Sequence, residues 1–227
     1  MELADGVYQF TLEIEYPERT FVVHPSGVAL PDGGLALVDA GPAGATDVLA
    51  DALAEHGFAI EDVEYLLLTH QDGDHVGGAT AVVERADPTV FAHGADAPSI
   101  EGVRDPIKSD GDRYDPVAVD VRIVDGVSLR TAAGPVQVVA TPGHTPGHVS
   151  LFLPDASLLL AADATAAEDG ELTGPKPHFT PDMDRAMASL DDLSSLAFDE
   201  VLCYHGGFAV AGPDALDALV EDYESGA

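Results

Sequence analysis

The stretch LLLTHQDGDHVGG, residues 66–78, places two imidazoles and two carboxylates within six positions. Its leucines predict a buried strand that ends near His70, followed by a polar turn, with His75 opening the next helix. On such a turn His70, Asp72, Asp74 and His75 can converge on one point, and imidazole with carboxylate suits zinc, iron or manganese. The alternative is a solvated turn that caps the helix, because acids are frequent in this chain.

Three later segments also bring metal-competent side chains to the ends of predicted strands. The proline-glycine loop TPGHTPGH, residues 141–148, is rigid and projects His144 and His148. Asp163 closes an apolar strand, where an unpaired carboxylate would be costly to bury. His205 follows another apolar strand and precedes two glycines. Each segment alone could be an ordinary turn, but their joint occurrence predicts a metal site.

The hydrophobic pattern predicts alternating strands and helices in one domain over residues 1–227. Strands are expected at 7–15, 20–24, 27–30, 35–41, 64–70, 89–93, 119–126, 127–133, 135–140, 148–154, 157–163 and 201–205. Helices are expected at 45–57, 75–86, 181–196 and 213–224, with irregular stretches at 94–118 and 164–179. The order of strands, helix, strand, helix occurs twice, which suggests two β-rich layers covered by helices.

The composition is that of a folded, strongly acidic protein. Of 227 residues, 46% are hydrophobic, and 41 Asp and Glu face 9 Lys and Arg, for a net charge of -32. Such charge repels itself unless counterions screen it, so we expect a salt-rich, halophilic cytoplasm. It also disfavours nucleic acid as a partner, because phosphate binding relies on Lys and Arg. An anionic membrane surface is disfavoured for the same reason.

The N-terminal residues lack the basic and apolar segments of a signal peptide. No apolar run approaches the roughly 20 residues needed to span a bilayer. Cys203 is the lone cysteine, so no internal disulfide is expected. These features predict a cytoplasmic protein without a membrane partner.

Over almost its whole length the chain resembles the metallo-β-lactamase-fold superfamily. The matching segments are LALVDAG at 35–41, THQDGDHVGG at 69–78, TPGHTPGH at 141–148, LLLAAD at 158–163 and YHGG at 204–207. The resemblance implies an α+β fold, a four-layer αββα sandwich with a metal site at the edge where two sheets meet.

Position by position, the resemblance also implies the roles of individual residues. A first metal site would use His70, Asp72 and His144, a second would use Asp74, His75 and His205, and Asp163 would bridge the two. Asp39 matches a structural acid behind the site, and His148 matches a supporting position rather than a ligand.

The chain departs from the family pattern at three positions. Asp72 stands where histidine is usual, Ala162 where glycine commonly precedes the bridging acid, and Tyr204 where small residues are common. Asp72 would make a two-metal cluster with a bridging hydroxide neutral instead of positive, so the bound water would be less acidic. Its harder oxygen also shifts preference from zinc toward iron or manganese.

The expected activity is that of a metal-dependent hydrolase, with a metal-bound hydroxide attacking an ester, thioester or lactone of small size. Asp74 would hold the second metal and orient the hydroxide. Tyr204 would either donate to a developing oxyanion or be a packed aromatic. The alternatives are an iron-dependent oxidoreductase of the dioxygenase kind, which Asp72 favours indirectly, and a non-catalytic metal-binding protein.

Basic residues are scarce outside these motifs. Arg104, Lys108 and Arg113 form a cationic cluster that would hold an anionic substrate group or form surface ion pairs. His178 is the histidine outside the motifs that could touch substrate. Substrate specificity would reside in the segments 94–118 and 164–180, and the oligomeric state is left open.

Overall fold

The computed structural model describes residues 1–109 and 113–226, which build two packed β-sheets with helices on both outer faces. The strands are β1 (Glu2–Ala4), β2 (Val7–Gln9), β3 (Leu12–Tyr16), β4 (Arg19–Val23), β5 (Ser26–Ala29), β6 (Leu35–Val38), β7 (Val63–Leu68), β8 (Thr89–His93), β9 (Val121–Ile123), β10 (Ser128–Thr131), β11 (Gly134–Ala140), β12 (Val149–Leu153), β13 (Leu158–Ala162), β14 (Ala166–Glu168), β15 (Glu171–Thr173), β16 (Glu200–Cys203) and β17 (Gly207–Ala209). The helices are α1 (Thr46–Ala54), α2 (Gly73–Val76), α3 (Ala79–Ala86), α4 (Ala97–Ile100), α5 (Met183–Ser194) and α6 (Pro213–Ser225).

The first sheet has seven strands in the order β1-β2-β5-β6-β7-β8-β9, and the second has six in the order β10-β11-β12-β13-β16-β17. Strands β6 to β9 are parallel, as are β13 and β16. Two hairpins, β3-β4 and β14-β15, lie outside the sheets. The carboxyl ends of parallel strands therefore meet at one edge.

Alternating leucines explain why the sheets are covered on both faces. In β7, Leu66 and Leu68 pack toward the helix α1, while Leu67 joins the core between the two sheets. In β13, Leu158 and Leu160 face that same inter-sheet core, and Leu159 packs against α5. Because successive side chains of a strand point to opposite faces, an all-apolar strand must be covered on both faces. The four-layer αββα prediction is confirmed.

The predicted helix 75–86 is wrong in one respect, because it is two helices broken at Gly77 and Gly78. A Cβ at Gly77 would lie 2.3 Å from the backbone nitrogen of Ala43, and one at Gly78 would lie 2.3 Å from the carbonyl oxygen of Ala40. The break therefore lets the helix pair approach the backbone that follows β6. Tertiary contact overrides the helical periodicity here.

Other boundaries also differ from the predictions. The expected strand 7–15 is divided into β2 and β3, which pair with different partners. The irregular stretches contain α4 and the β14-β15 hairpin, and β1 and β17 were not predicted. Residues 110–112 of the predicted loop 94–118 lie outside the described residues. Strand β16 ends at Cys203, so His205 occupies the following turn.

Within the described ranges, only Asp39 and Asp96 among the acids are fully buried, so almost all of the negative charge faces solvent. None of the helices described there has both the length and the apolarity to cross a membrane.

Salt should stabilise this fold, because screening weakens repulsion among the exposed carboxylates. We expect the Tm to rise steadily between about 0.1 M and about 2 M KCl, where the Debye length falls from about 10 Å to below 3 Å. Differential scanning calorimetry checks this, with NaCl as the control for specific ion effects. A Tm that stays constant or falls would contradict the prediction.

Candidate metal centre

The candidate centre lies where β6, β7, β13 and β16 end, beside the loop between β11 and β12. It contains two groups of ligand atoms, each group within 4.8 Å: His70, His144 and Asp163 in the first, and Asp74, His75 and His205 in the second. Asp163 also approaches the second group, with Oδ1 3.3 Å from His75 Nε2. Asp72 lies at the first, with Oδ2 3.4 Å from His70 Nε2. The structure thus brings all seven sequence-predicted ligands together.

Unpaired buried atoms show that the centre suits a cation. His70 Nε2, His75 Nε2, Asp72 Oδ1 and Asp163 Oδ1 are buried, and none has a hydrogen-bond partner in the part of the chain that is described. Leaving such atoms unpaired costs about 1–3 kcal/mol each, and more for charged groups. Imidazole nitrogens and carboxylate oxygens are ligands for zinc and related divalent metals, so the residues present fit a metal ion.

Asp39 orients His75 from behind. Asp39 Oδ2 lies 2.7 Å from His75 Nδ1, while its oxygens accept hydrogen bonds from the backbone and the hydroxyl of Thr69 at 2.8 Å. With Nδ1 engaged, the ring directs Nε2 toward Asp163. This is the usual outer support of a metal-binding histidine.

His148 is buried beside the ligands, and both of its ring nitrogens have partners. Nδ1 lies 2.7 Å from Thr141 Oγ1, and Nε2 accepts a hydrogen bond from the backbone N–H of Asp163 at 3.0 Å. Burial and the neighbouring His70 hold the pKa of His148 well below its ordinary value. A neutral, doubly engaged ring supports Asp163 and leaves no nitrogen for a metal.

Charge at the centre is dominated by its carboxylates. Burial raises the pKa of Asp163, but His75 and His205 outweigh it and hold that pKa well below the usual range. Burial lowers the pKa of His205, but Asp163 and Asp74 outweigh it and raise it to about 9. The protein thus gathers carboxylates at the place where a cation would bind.

Ala162 adopts a left-handed backbone conformation with φ 49°, directly before Asp163. This region favours glycine, which explains physically why glycine is common at the position. The departure from the family pattern is accommodated with the fold unchanged.

Tyr204 is buried and packed. Its hydroxyl donates to the carbonyl oxygen of Asp74 at 2.5 Å, and its ring stacks on His75 with centroids 3.6 Å apart. This geometry favours a packed aromatic over an oxyanion donor. Burial raises the pKa of Cys203 to about 12, so its thiol is an inert core group.

The cationic cluster predicted at Arg104, Lys108 and Arg113 does not form a surface patch. The ammonium of Lys108 forms an ion pair with Asp72, lies 2.6 Å from His144 Nε2 and donates to the carbonyl oxygen of Phe179 at 3.1 Å. Arg113 donates to backbone carbonyl oxygens, including that of Arg104 at 3.2 Å, and forms a surface ion pair with Asp105 at 3.8 Å, the second of the two expected uses. Lys108 therefore belongs to the centre itself.

Sequence reasoning missed Asp96, which ties together the two loops that carry ligands. Its carboxylate accepts hydrogen bonds from the backbone and side-chain amides of Gln71 at 3.1 and 2.8 Å. It also accepts from the Thr145 hydroxyl at 2.6 Å and the Gly147 backbone at 2.8 Å. Asp96 lies in a stretch without periodicity, and no motif marks it.

A cavity of ≈ 480 Å³ opens onto both groups, with Asp72, His144 and Asp163 in its lining as well as Asp74 and His205. Beside Asp74 and His205, it is lined by Arg19 and Phe21 from the β3-β4 hairpin and by Lys176 and Phe179 from the segment after β15. The structure does not place His178 in this lining.

Comparison with known proteins identifies the class. The profile of the metallo-beta-lactamase superfamily matches residues 19–205, and the chain belongs to this superfamily. It is 30% identical to the probable metallo-hydrolase YflN of Bacillus subtilis, over 90% of this chain and 85% of that protein. The metallo-beta-lactamase family protein TTHA1429 of Thermus thermophilus superposes with a TM-score of 0.81 at 25% identity, covering 98% of this chain and 81% of the other.

A hydroxyacylglutathione hydrolase of Rhizobium meliloti is 32% identical over 76% of this chain. The match covers 61% of that longer protein. The relatives are named as hydrolases, which assigns this chain to the hydrolytic enzymes of the superfamily.

Replacing Asp96 by Asn should loosen the centre. An amide nitrogen cannot accept a hydrogen bond, so two of the four donors would lose their partner, and the free energy of unfolding should fall by about 2 kcal/mol. Urea denaturation checks this, with the exposed Asp191→Asn as the matched control. Equal stability of the two variants would contradict the role of Asp96.

Proposed function

We propose that this protein is a metal-dependent hydrolase of small thioesters, with esters and lactones as related substrates. The observation that carries the proposal is a group of unpaired ligand atoms at the floor of a cavity large enough for a small molecule. Thioesters come first because relatives about 30% identical are named hydroxyacylglutathione hydrolases.

Zinc is the proposed metal, held by Asp74, His75 and His205 with Asp163. Bound there, it would supply Lewis-acid activation of the substrate carbonyl and of the attacking water. Iron or manganese would be favoured if Asp72 were a ligand, and Oδ2 of Asp72 forms an ion pair with Lys108 instead. Because of this ion pair, no specific observation favours the oxidoreductase alternative.

The Asp74 carboxylate lies where it can accept a proton from the attacking water. Its Oδ2 lies 3.2 Å from His205 Nε2, and its side chain is 28% exposed and lines the cavity. A carboxylate in this position can orient a water against the substrate carbonyl and accept its proton.

The cavity mouth suits an anionic substrate. Arg19 and Lys176 line it, and neither has a carboxylate partner within 4.0 Å among residues 1–109 and 113–226. Arg104, Arg130 and Arg185 also lack such a partner, but Arg19 and Lys176 lie in the cavity lining, where they are available for an acidic group of the substrate. Phe179, 56% exposed, offers an apolar face beside them. The same charge balance favours a small molecule over nucleic acid, in a salt-rich cytoplasm.

Removing the carboxylate at Asp74 should abolish most of the activity. We expect Asp74→Asn to lower kcat/KM for an acyl thioester by about 10²-fold or more, the scale of a lost acid–base group. Thiol release assayed in high salt measures this. The exposed turn residue Asp169, changed to Asn, is the control. A chelator should abolish wild-type turnover, and added zinc should restore it; thioester hydrolysis that survives chelation would refute the proposal.

Charge reversal at Lys176 should affect acidic substrates selectively. We expect Lys176→Glu to raise KM about tenfold for a thioester with a free carboxylate, equivalent to about 1.4 kcal/mol. A neutral thioester of the same length is the internal control and should keep its KM. Equal effects on the two substrates would contradict the assignment.

A further inference from the structure

We propose that Lys108 is the cation of the first group, so that the chain holds one metal ion, at the second group, instead of two. The inference rests on the proposed metal centre, but it does not depend on which bond the enzyme hydrolyses.

The lysine ammonium is fully satisfied where it lies. It has three N–H donors, and it has three partners: Asp72, His144 Nε2 and the carbonyl oxygen of Phe179. The Lys108 side chain is only 20% exposed. The ammonium is thus fully paired and largely withdrawn from solvent.

The contact uses the atom through which His144 would bind a metal. A neutral imidazole has one nitrogen with a free lone pair, and that lone pair accepts either an N–H donor or a metal ion. Lys108 Nζ lies 2.6 Å from His144 Nε2, and Asp72 Oδ2 lies 3.1 Å from the same nitrogen. A divalent ion bound there would also face the ammonium at close range, where like charges repel strongly. The first group thus holds a metal only after Lys108 leaves.

The second group has no such occupant. The ion-pair partners of Asp74, His75 and His205 are histidines and carboxylates, with no lysine or arginine from the described residues among them. The His75 Nε2 lone pair is unpaired, unlike that of His144. His70 Nε2 and Asp72 Oδ1 of the first group are unpaired as well, so what separates the two groups is the ammonium of Lys108 beside Asp72 and His144.

The loop that carries Lys108 is anchored to the ligand-bearing turn. The backbone N–H of Ile107 donates to Gln71 Oε1 at 2.9 Å, and the hydroxyl of Tyr114 donates to the Gln71 carbonyl oxygen at 2.8 Å. Arg113 donates to the carbonyl oxygen of Ser99 at 2.8 Å. Because Gln71 neighbours His70, these bonds fix the lysine relative to the centre.

One metal and one lysine neutralise the three carboxylates without a second metal ion. Asp72, Asp74 and Asp163 contribute -3, while one divalent ion and one ammonium contribute +3. Asp72 is therefore the carboxylate matched to Lys108, and the two residues form a unit.

Metal content tests the inference directly. Protein stripped of metal and dialysed against zinc in high salt is analysed by inductively coupled plasma mass spectrometry and titrated by calorimetry. We expect one zinc per wild-type chain and two per chain in Lys108→Met, which removes the ammonium at similar length. Lys176→Met is the matched control, since Lys176 is the only other lysine and lines the cavity beside the centre without touching a ligand; it should keep one zinc.

Two further variants locate the single ion. In the otherwise wild-type chain, His205→Ala should lose it and His70→Ala should keep it. Two zincs in the wild type, one in Lys108→Met, or retention in His205→Ala would each overturn the inference. If Lys108→Met does not fold, Lys108→Gln serves the same purpose. Absence of any bound zinc in the wild type would instead overturn the proposed metal centre, which separates the two failures.

Discussion

The close packing of three carboxylates at one edge of the two sheets is the constraint that the rest of the structure must satisfy. Asp72, Asp74 and Asp163 meet at the ends of buried strands, where solvent cannot screen them well. Burying carboxylates this closely is unfavourable unless positive charge lies among them. The protein supplies imidazoles and one lysine, and the unpaired ligand atoms that remain suit a metal ion.

Two other carboxylates hold the scaffold around this charge. Asp39 ties the end of β7 to His75, and Asp96 joins the turn after β7 to the loop between β11 and β12. Both are fully buried and accept hydrogen bonds from backbone N–H groups, which compensate their desolvation. The candidate ligands are thus preorganised by two acids that lie outside both groups.

The position of Lys108 gives Asp72 a different role from that of a metal ligand. As one carboxylate among ligands, Asp72 would alter the metal preference of a two-metal centre. As the partner of a lysine, it becomes half of an ion pair beside a single metal ion. Its carboxylate pKa is held well below the usual range, since His70, His144 and Lys108 outweigh the effect of burial. In the proposed one-metal centre, metal chemistry is confined to the second group.

The four layers and all seven ligand candidates could be predicted from the sequence. Apolar runs such as Leu66 to Leu68 identify strands buried on both faces, and His or Asp at their ends marks the functional edge. The breaks at Gly77 and Gly78 could not be predicted, because they arise from backbone contacts with distant residues. Asp96 was missed for the same reason: its four donors come from segments 25 to 51 residues away in the chain.

What the sequence by itself determined is the fold class and the metal-binding character, since both follow from local patterns of apolar runs and ligand types. Only the tertiary structure decided which cation meets which carboxylate. Lys108 lies 36 residues from both Asp72 and His144, in opposite directions along the chain, within a stretch that has no periodicity. An ion pair depends on distance in space, and a loop of this kind leaves no local pattern from which that distance can be read.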